Sequence, residues 1–303
     1  MMTTIPHLTD DPHDDASHTV REKVSAAYAR AVSRPADDGC CTQVTPKGVA
    51  AKTAGYAPDD LAQLPVEAVS NSFGCGNPLA FAEVRAGDVV VDLGSGAGLD
   101  LLLAAAKVGP EGRVIGIDMT DEMLAKARQA IQASVFTNVE VRKGLIEELP
   151  VSAGSVDWVI SNCVINLSPD KERVFAEIAR VLKPGGQVRV SDIVVQDLPD
   201  WIRHNQSLYN SCISGAISEE AYVEGLGRAG LTDIQVTERL VYDASHLVAL
   251  VQSDLADLAP ADASTGCGCG GDPFSGLDEE TLTALAGQVA GKVWSARFSA
   301  TRP

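Results

Sequence analysis

Between residues 89 and 193 the chain alternates short apolar runs with amphipathic stretches, and few folds accommodate that alternation. Val89-Val90-Val91-Asp92-Leu93 reads as a strand, GSGAG as a tight turn, and LDLLLAAAKV as a helix stopped by Gly109-Pro110. RVIGID is the next strand, followed by the helix TDEMLAKARQAIQAS with Thr120 as N-cap. NVEVRKG, VDWVIS and GQVRVSDI are further strands, and the helix PDKERVFAEIARVL precedes the last of them. Strands separated by helices call for an α/β fold with a doubly wound, mostly parallel sheet.

After Asp192 the alternation lapses. Residues 199–230 read as helices inserted before a sixth strand, TDIQVTERLVY. The segment KVWSARFSATRP alternates apolar and polar residues, as a half-buried strand does, and reads as an antiparallel last strand pairing with the sixth. A long intervening loop does not forbid this, because closure entropy grows slowly with length. A detached tail is the alternative.

The pattern divides the chain into a disordered acidic tail (1–18) and an N-terminal helical region with Cys40 and Cys41 (19–70). A sheet domain (71–195) is followed by a lid region with the sixth strand (196–245). An insertion with a Gly/Cys-rich linker (246–290) and the returning strand (291–303) complete it. The first helix, TVREKVSAAYARAVS, starts near His18 or Thr19. APDDLAQLPVEAVSNS gives short helices, and FGCGNPLAFAEV a glycine-punctuated loop running into a helix.

A net charge of −17 argues against a nucleic-acid partner, since phosphate binding relies on clustered Lys and Arg. The first residues carry neither a basic stretch nor an apolar run, so no secretory signal is read there. No apolar run approaches the roughly 20 residues of a membrane-spanning helix. The expected location is therefore cytoplasmic, with the seven cysteines mostly reduced. They fall at 40, 41, 75, 163, 212, 267 and 269, with no CxxC pair. His7, His13 and His18 lie in the polar tail, and a closed zinc site is not supported.

VVVDLGSGAGLD carries the cofactor signal. In Gly94-Ser95-Gly96, and at Gly98, glycines let the backbone turn sharply and approach a ligand, and the N–H groups of the following helix start face it. A dinucleotide fingerprint needs glycine at 99, where this chain has Leu99. The spacing, with an acid two residues before Gly94, resembles the class I S-adenosylmethionine (SAM)-dependent methyltransferases and their Rossmann-like sheet. That resemblance places the ribose hydroxyls on Asp118, the methionine amino group near Asp92, and adenine beside Ile146 and Glu147.

Cys163 follows the fourth strand, Cys212 comes from the inserted lid, and Cys75 lies between two glycines just before the sheet. Each alone reads as a small buried hydrophobe. Three beside one cofactor read as a thiol cluster, which selects a soft, thiophilic centre. A pyramidal trivalent centre on three sulfurs keeps a lone pair that can attack a sulfonium methyl in line, an SN2 transfer needing orientation and no general base.

FGCGNP, DLGSGAGLD, GIDMT, SNCVINLSPDK, RVLKPGG and SDI together resemble, in order, the arsenite SAM-methyltransferases over roughly residues 20–240. The resemblance implies that As(III) is bound by Cys75, Cys163 and Cys212, with Cys40 or Cys41 assisting the first methylation. It further implies SAM as methyl donor, cofactor contacts from Asn162 and Met119, a thiol reductant (glutathione or thioredoxin) as co-substrate, and a role in arsenic detoxification. On this reading 71–195 binds SAM and 196–245 binds arsenite. The 246–290 insertion departs from the family pattern, and its Cys267 and Cys269 read as spare linker residues or as an arsenite capture pair. Two other readings stay open: a methyltransferase of an organic acceptor, and a SAM-independent arsenite-binding or sensor protein.

Overall fold

Buried parallel strands are covered on both faces by helices, so they carry continuous apolar runs, as Val89–Val91, Val114–Ile117 and Trp158–Ile160 do here, whereas the edge strand VEVRK alternates and is only partly buried. The computed structural model describes residues 12–33, 56–62, 64–74, 76–249 and 279–303. Helix α1 (Pro12–Ser33) comes first, then short helices at Pro58–Ala62 and Val66–Ser70. The core alternation is β1 (Val89–Leu93), α2 (Leu99–Val108), β2 (Arg113–Asp118), α3 (Asp121–Ala133), β3 (Val139–Lys143) and β4 (Val156–Asn162). It continues through α4 (Lys171–Val181) into β5 (Leu182–Val195). Two short helices, Asp200–Arg203 and Gln206–Asn210, lead to α5 (Glu219–Arg228), β6 (Thr232–Val241), α6 (Glu279–Gly287) and β7 (Val293–Thr301).

The seven strands form one sheet in the order β3-β2-β1-β4-β5-β7-β6. Strands β1 to β5 pair in parallel, while β7 is antiparallel to both β5 and β6. The helices show why they start where they do. Asp170 caps α4 by accepting the Arg173 N–H at 3.0 Å, and Ser218 caps α5 by accepting the Ala221 N–H at 3.1 Å. In α4, Val174, Phe175, Ile178 and Val181 recur at helical spacing and are all buried against the sheet.

Four expectations need correction. Helix α1 begins at Pro12, so residues 12–18 are helical and neither His18 nor Thr19 is its start. A proline at the first helical position has its φ preset. Residues 1–11 lie outside the described residues. After the GCG loop the chain makes only a single 3-10 turn, Pro78–Ala80, not a longer helix, with Asn77 accepting the Ala80 N–H at 3.0 Å. The insertion is not all linker, because residues 244–249 and α6 are helical at its two ends. Finally, β7 pairs with β6 as expected but lies between β5 and β6, which buries it more deeply than a half-buried edge strand.

Candidate functional site

The strand order reverses between β1 and β4, so their C-terminal ends part and leave a crevice. A pocket with about 990 Å³ of empty space, its mouth included, opens there. One wall is the turn after β1, where Gly94, Gly96 and Gly98 hold φ of +64°, +52° and +94°. A Cβ on Gly96 would point into open space, with no heavy atom within 4 Å, so the backbone itself faces the pocket. Beside it the Ser95 Oγ is buried and has no hydrogen-bond partner among the described residues.

Three carboxylates surround this turn. Asp92, in β1, is 2% exposed. Burial holds its carboxyl well above the usual range, and the neighbouring Asp100 and Asp118 push the same way. Asp100, in the first turn of α2, is pushed up to about 6 by burial, against the hydrogen bonds from Tyr56 and Asn162. Asp118 ends β2, where its Oδ2 accepts the Gly96 N–H at 3.0 Å and its Oδ1 the Thr120 N–H at 2.8 Å. Burial raises it too, opposed by those backbone bonds. Crowded acids of this kind favour a cationic occupant.

Helix α1 crosses the pocket. Arg21, Val24 and Tyr28, three or four residues apart on one face, all line it. Arg21 Nε donates to Glu147 Oε1 at 3.1 Å, and Ser168 Oγ donates to the same oxygen at 2.7 Å. The Ser25 and Thr120 hydroxyls lie 3.3 Å apart, and Tyr28 Oη donates to the Asn210 carbonyl at 3.0 Å. Met119, Ile146 and Asn162 also line the pocket.

Two cysteines meet just past the end of β4. Cys163 leaves β4, donates its N–H to the Ser191 carbonyl at 2.8 Å, lines the pocket and is 5% exposed. Cys212, 4% exposed, follows the Gln206–Asn210 helix, and its Sγ donates to the Cys163 carbonyl at 2.7 Å. Their φ values are +58° and +64°, and among the described residues only two other non-glycine residues, Asp197 and Asp233, have positive φ. Such backbone conformations cost free energy and collect at functional sites. Behind them Lys171 Nζ donates to the carbonyls of Asn166 (3.2 Å) and Ser168 (2.9 Å). Asp192, fully buried and pushed up to about 7 by burial, accepts from Asn166 Nδ2 at 2.7 Å.

Cys163 departs from the reduced state expected of it. It is disulfide-bonded, whereas Cys212 carries a thiol, and the other five cysteines lie outside the described residues. The placements expected for Cys40, Cys41, Cys75, Cys267 and Cys269 therefore fall outside the described residues.

Sequence reading missed Asp100, Tyr56, Arg21 and Ser168. Asp100 was visible as the acid closing GSGAGLD, although an acid in a first helical turn also reads as dipole compensation. The other three enter through contacts across 21 to 126 positions, which local pattern does not encode.

Comparison with known proteins agrees with this geometry. The family described as "Methyltransferase domain" matches residues 85–238. An arsenite methyltransferase of Halobacterium salinarum is 43% identical over 204 residues, 67% of this chain and 52% of that protein. One of Aquipseudomonas alcaligenes is 35% identical over 230 residues, 72% of this chain and 64% of that protein. The chain thus spans between half and two thirds of these relatives' length. A crystal structure of an arsenic(III) S-adenosylmethionine methyltransferase from Chlamydomonas reinhardtii superposes with a TM-score of 0.61 at 29% identity, covering 82% of this chain and 74% of that one. The chain belongs to the methyltransferase-domain family and is similar, within it, to the arsenite methyltransferases.

Proposed function

We propose that the protein methylates trivalent arsenic, holding it on cysteine sulfurs at the end of a SAM pocket. The carrying observation is the contact between Cys163, which ends a strand and lines the pocket, and Cys212 from the inserted segment, whose Sγ donates to the Cys163 carbonyl at 2.7 Å. Cys75 is the third ligand on this reading, and Cys40 or Cys41 assists the first transfer.

The residues present suit SAM. Gly96 leaves room for a ligand against the backbone, the Ser95 hydroxyl lacks a partner among the described residues, and the clustered acids favour a cation. When bound, SAM supplies a methyl carbon made electrophilic by its sulfonium. Asp118 would hold the ribose hydroxyls through lone pairs left beside its backbone bonds, Asp92 the amino group, and Ile146 and Met119 the apolar faces. Glu147, with Oε1 taken by Arg21 and Ser168, would offer Oε2 to adenine. Helix α1 would close the pocket to water. The chain's contribution is then alignment, presenting the arsenic lone pair to the methyl carbon at near-contact distance.

A disulfide at Cys163 must take up two electrons before that sulfur binds arsenic, which is the chemical reason for a thiol co-substrate such as glutathione or thioredoxin. Residues 71–195 would serve the cofactor and 196–245 the acceptor.

Arsenic speciation after incubation of the purified chain with arsenite, SAM and glutathione tests the function. Methylated arsenicals are expected; their absence, with SAM still bound, refutes it. A pH dependence follows from Asp100. An acid titrating near 6 in the unliganded pocket is ionised above that pH, and a bound cation stabilises the ionised form. SAM affinity is therefore full only well above pH 6, about half of that at pH 6, and falls further below it. By the titration equation it should be about fourfold weaker at pH 5.5 than at 7.5. Calorimetry at both values checks this, and Asp100→Asn should flatten the profile.

A further inference from the structure

Asn162, the last residue of β4, has a side-chain amide engaged on all sides. Its Nδ2 has three acceptors in reach for its two hydrogens, the Gly76 carbonyl at 2.7 Å, Tyr56 Oη at 2.9 Å and Asp100 Oδ2 at 3.1 Å, so one hydrogen is shared. Its Oδ1 accepts the Gly76 N–H at 3.0 Å. The amide thus meets both backbone groups of one residue, as a neighbouring strand would. The contacts around it are equally close. A Cβ on Gly74 would collide with the Asn162 amide, and a Cβ on Gly76 would collide with Ser191, the residue paired with Asn162 across β4 and β5. The chain on both sides of position 75 is therefore pressed against the adjoining ends of two strands. Cys163, the residue after Asn162, starts the next loop.

We propose that Asn162 is a positioning residue that clamps the Gly74–Gly76 loop to the end of β4 and so sets the spacing of the acceptor's ligands. This rests on the arsenic-binding reading above. It gives the side chain a different task from a polar cofactor contact. Both amide hydrogens already have acceptors, so no donor remains for SAM. It also explains why the two glycines of GCG and the asparagine of SNC occur together: bulk at either glycine would break the pairing that the amide makes. Gly76 is buried, so truncating Asn162 leaves its N–H and C=O without partners, and the loop must move to find water.

The test compares the reduced full-length chain with Asn162→Ala and, should that variant fold poorly, Asn162→Asp, which keeps the shape but turns an acceptor toward the Gly76 carbonyl. Three quantities are read: arsenite affinity by equilibrium dialysis, SAM affinity by calorimetry, and amide hydrogen exchange over residues 72–77. Arsenite affinity should fall at least about tenfold, with faster exchange in the segment and a clearly smaller loss of SAM affinity, since Asp100 also loses one hydrogen bond. Tyr56→Phe, which removes a contact but leaves both Gly76 bonds, should leave exchange unchanged. Unaltered arsenite affinity, unaltered exchange in Asn162→Ala, or a loss of SAM affinity as large as that of arsenite overturns the clamp. A wild-type chain that binds no arsenite overturns the arsenic reading instead, and the exchange measurement alone then decides whether Asn162 holds the loop.

Discussion

Cys212→Ser should lower arsenic methylation by at least about 10²-fold while leaving SAM affinity within about twofold. Partners one shell out from a bound metal already cost about 10–100-fold when lost, and removal of a ligand sulfur costs no less. Serine preserves size and can donate to the Cys163 carbonyl as the thiol does at 2.7 Å, so the local hydrogen bond survives. On the arsenic-binding proposal what disappears is a soft ligand, since a hydroxyl does not ionise near neutral pH and binds thiophilic centres weakly. The opposite result is equally informative. If Cys212 only packs, as its 4% exposure and apolar surroundings would allow, the substitution costs thermal stability and spares turnover. Initial rates, calorimetry with SAM and a melting curve separate the two.

Asp118→Ala should weaken SAM binding by about 10²-fold with a much smaller effect on arsenite. The carboxylate accepts the Gly96 and Thr120 N–H groups, one on each oxygen, and so joins the glycine turn after β1 to the start of α3. Each hydrogen bond to a charged group contributes about 1.5–3 kcal/mol. The variant would lose the ordering of the turn as well as the acceptor for ribose. Asp118→Asn is the informative partner: it keeps one carbonyl acceptor but points an NH₂ at a backbone N–H, so it should recover only part of the affinity. Equal SAM affinity in all three proteins, measured by calorimetry, would reject the ribose assignment.

The sheet was legible because its strands follow rules of local composition. VVVDL and RVIGID are each built on a run of apolar residues, as doubly covered strands must be, and they form strands over the same residues. The glycine turn was legible because positive φ leaves a mark in composition. Asp118 was placed correctly at the end of β2, beside the turn. The position of β7 between β5 and β6 was not readable from its alternation, because period two says which face is buried and not which neighbours a strand has. The roof over the pocket was equally hidden. Arg21 and Glu147 are 126 positions apart, and nothing in an acid or a base on an amphipathic segment names its partner. Glu147, read as a polar neighbour of adenine, also has one oxygen that holds α1 and the Ser168 loop, a contact the sequence did not show. Thiol state was the remaining gap. A cysteine count and a compartment speak for reduced sulfur, yet Cys163 is disulfide-bonded.

Arsenic K-edge X-ray absorption on the reduced full-length chain loaded with one equivalent of arsenite examines the sulfur cage most directly. Three sulfur neighbours and no oxygen are expected in the wild type, falling to two sulfurs in Cys163→Ser. An oxygen-dominated first shell, or a spectrum indifferent to Cys163→Ser, would contradict it.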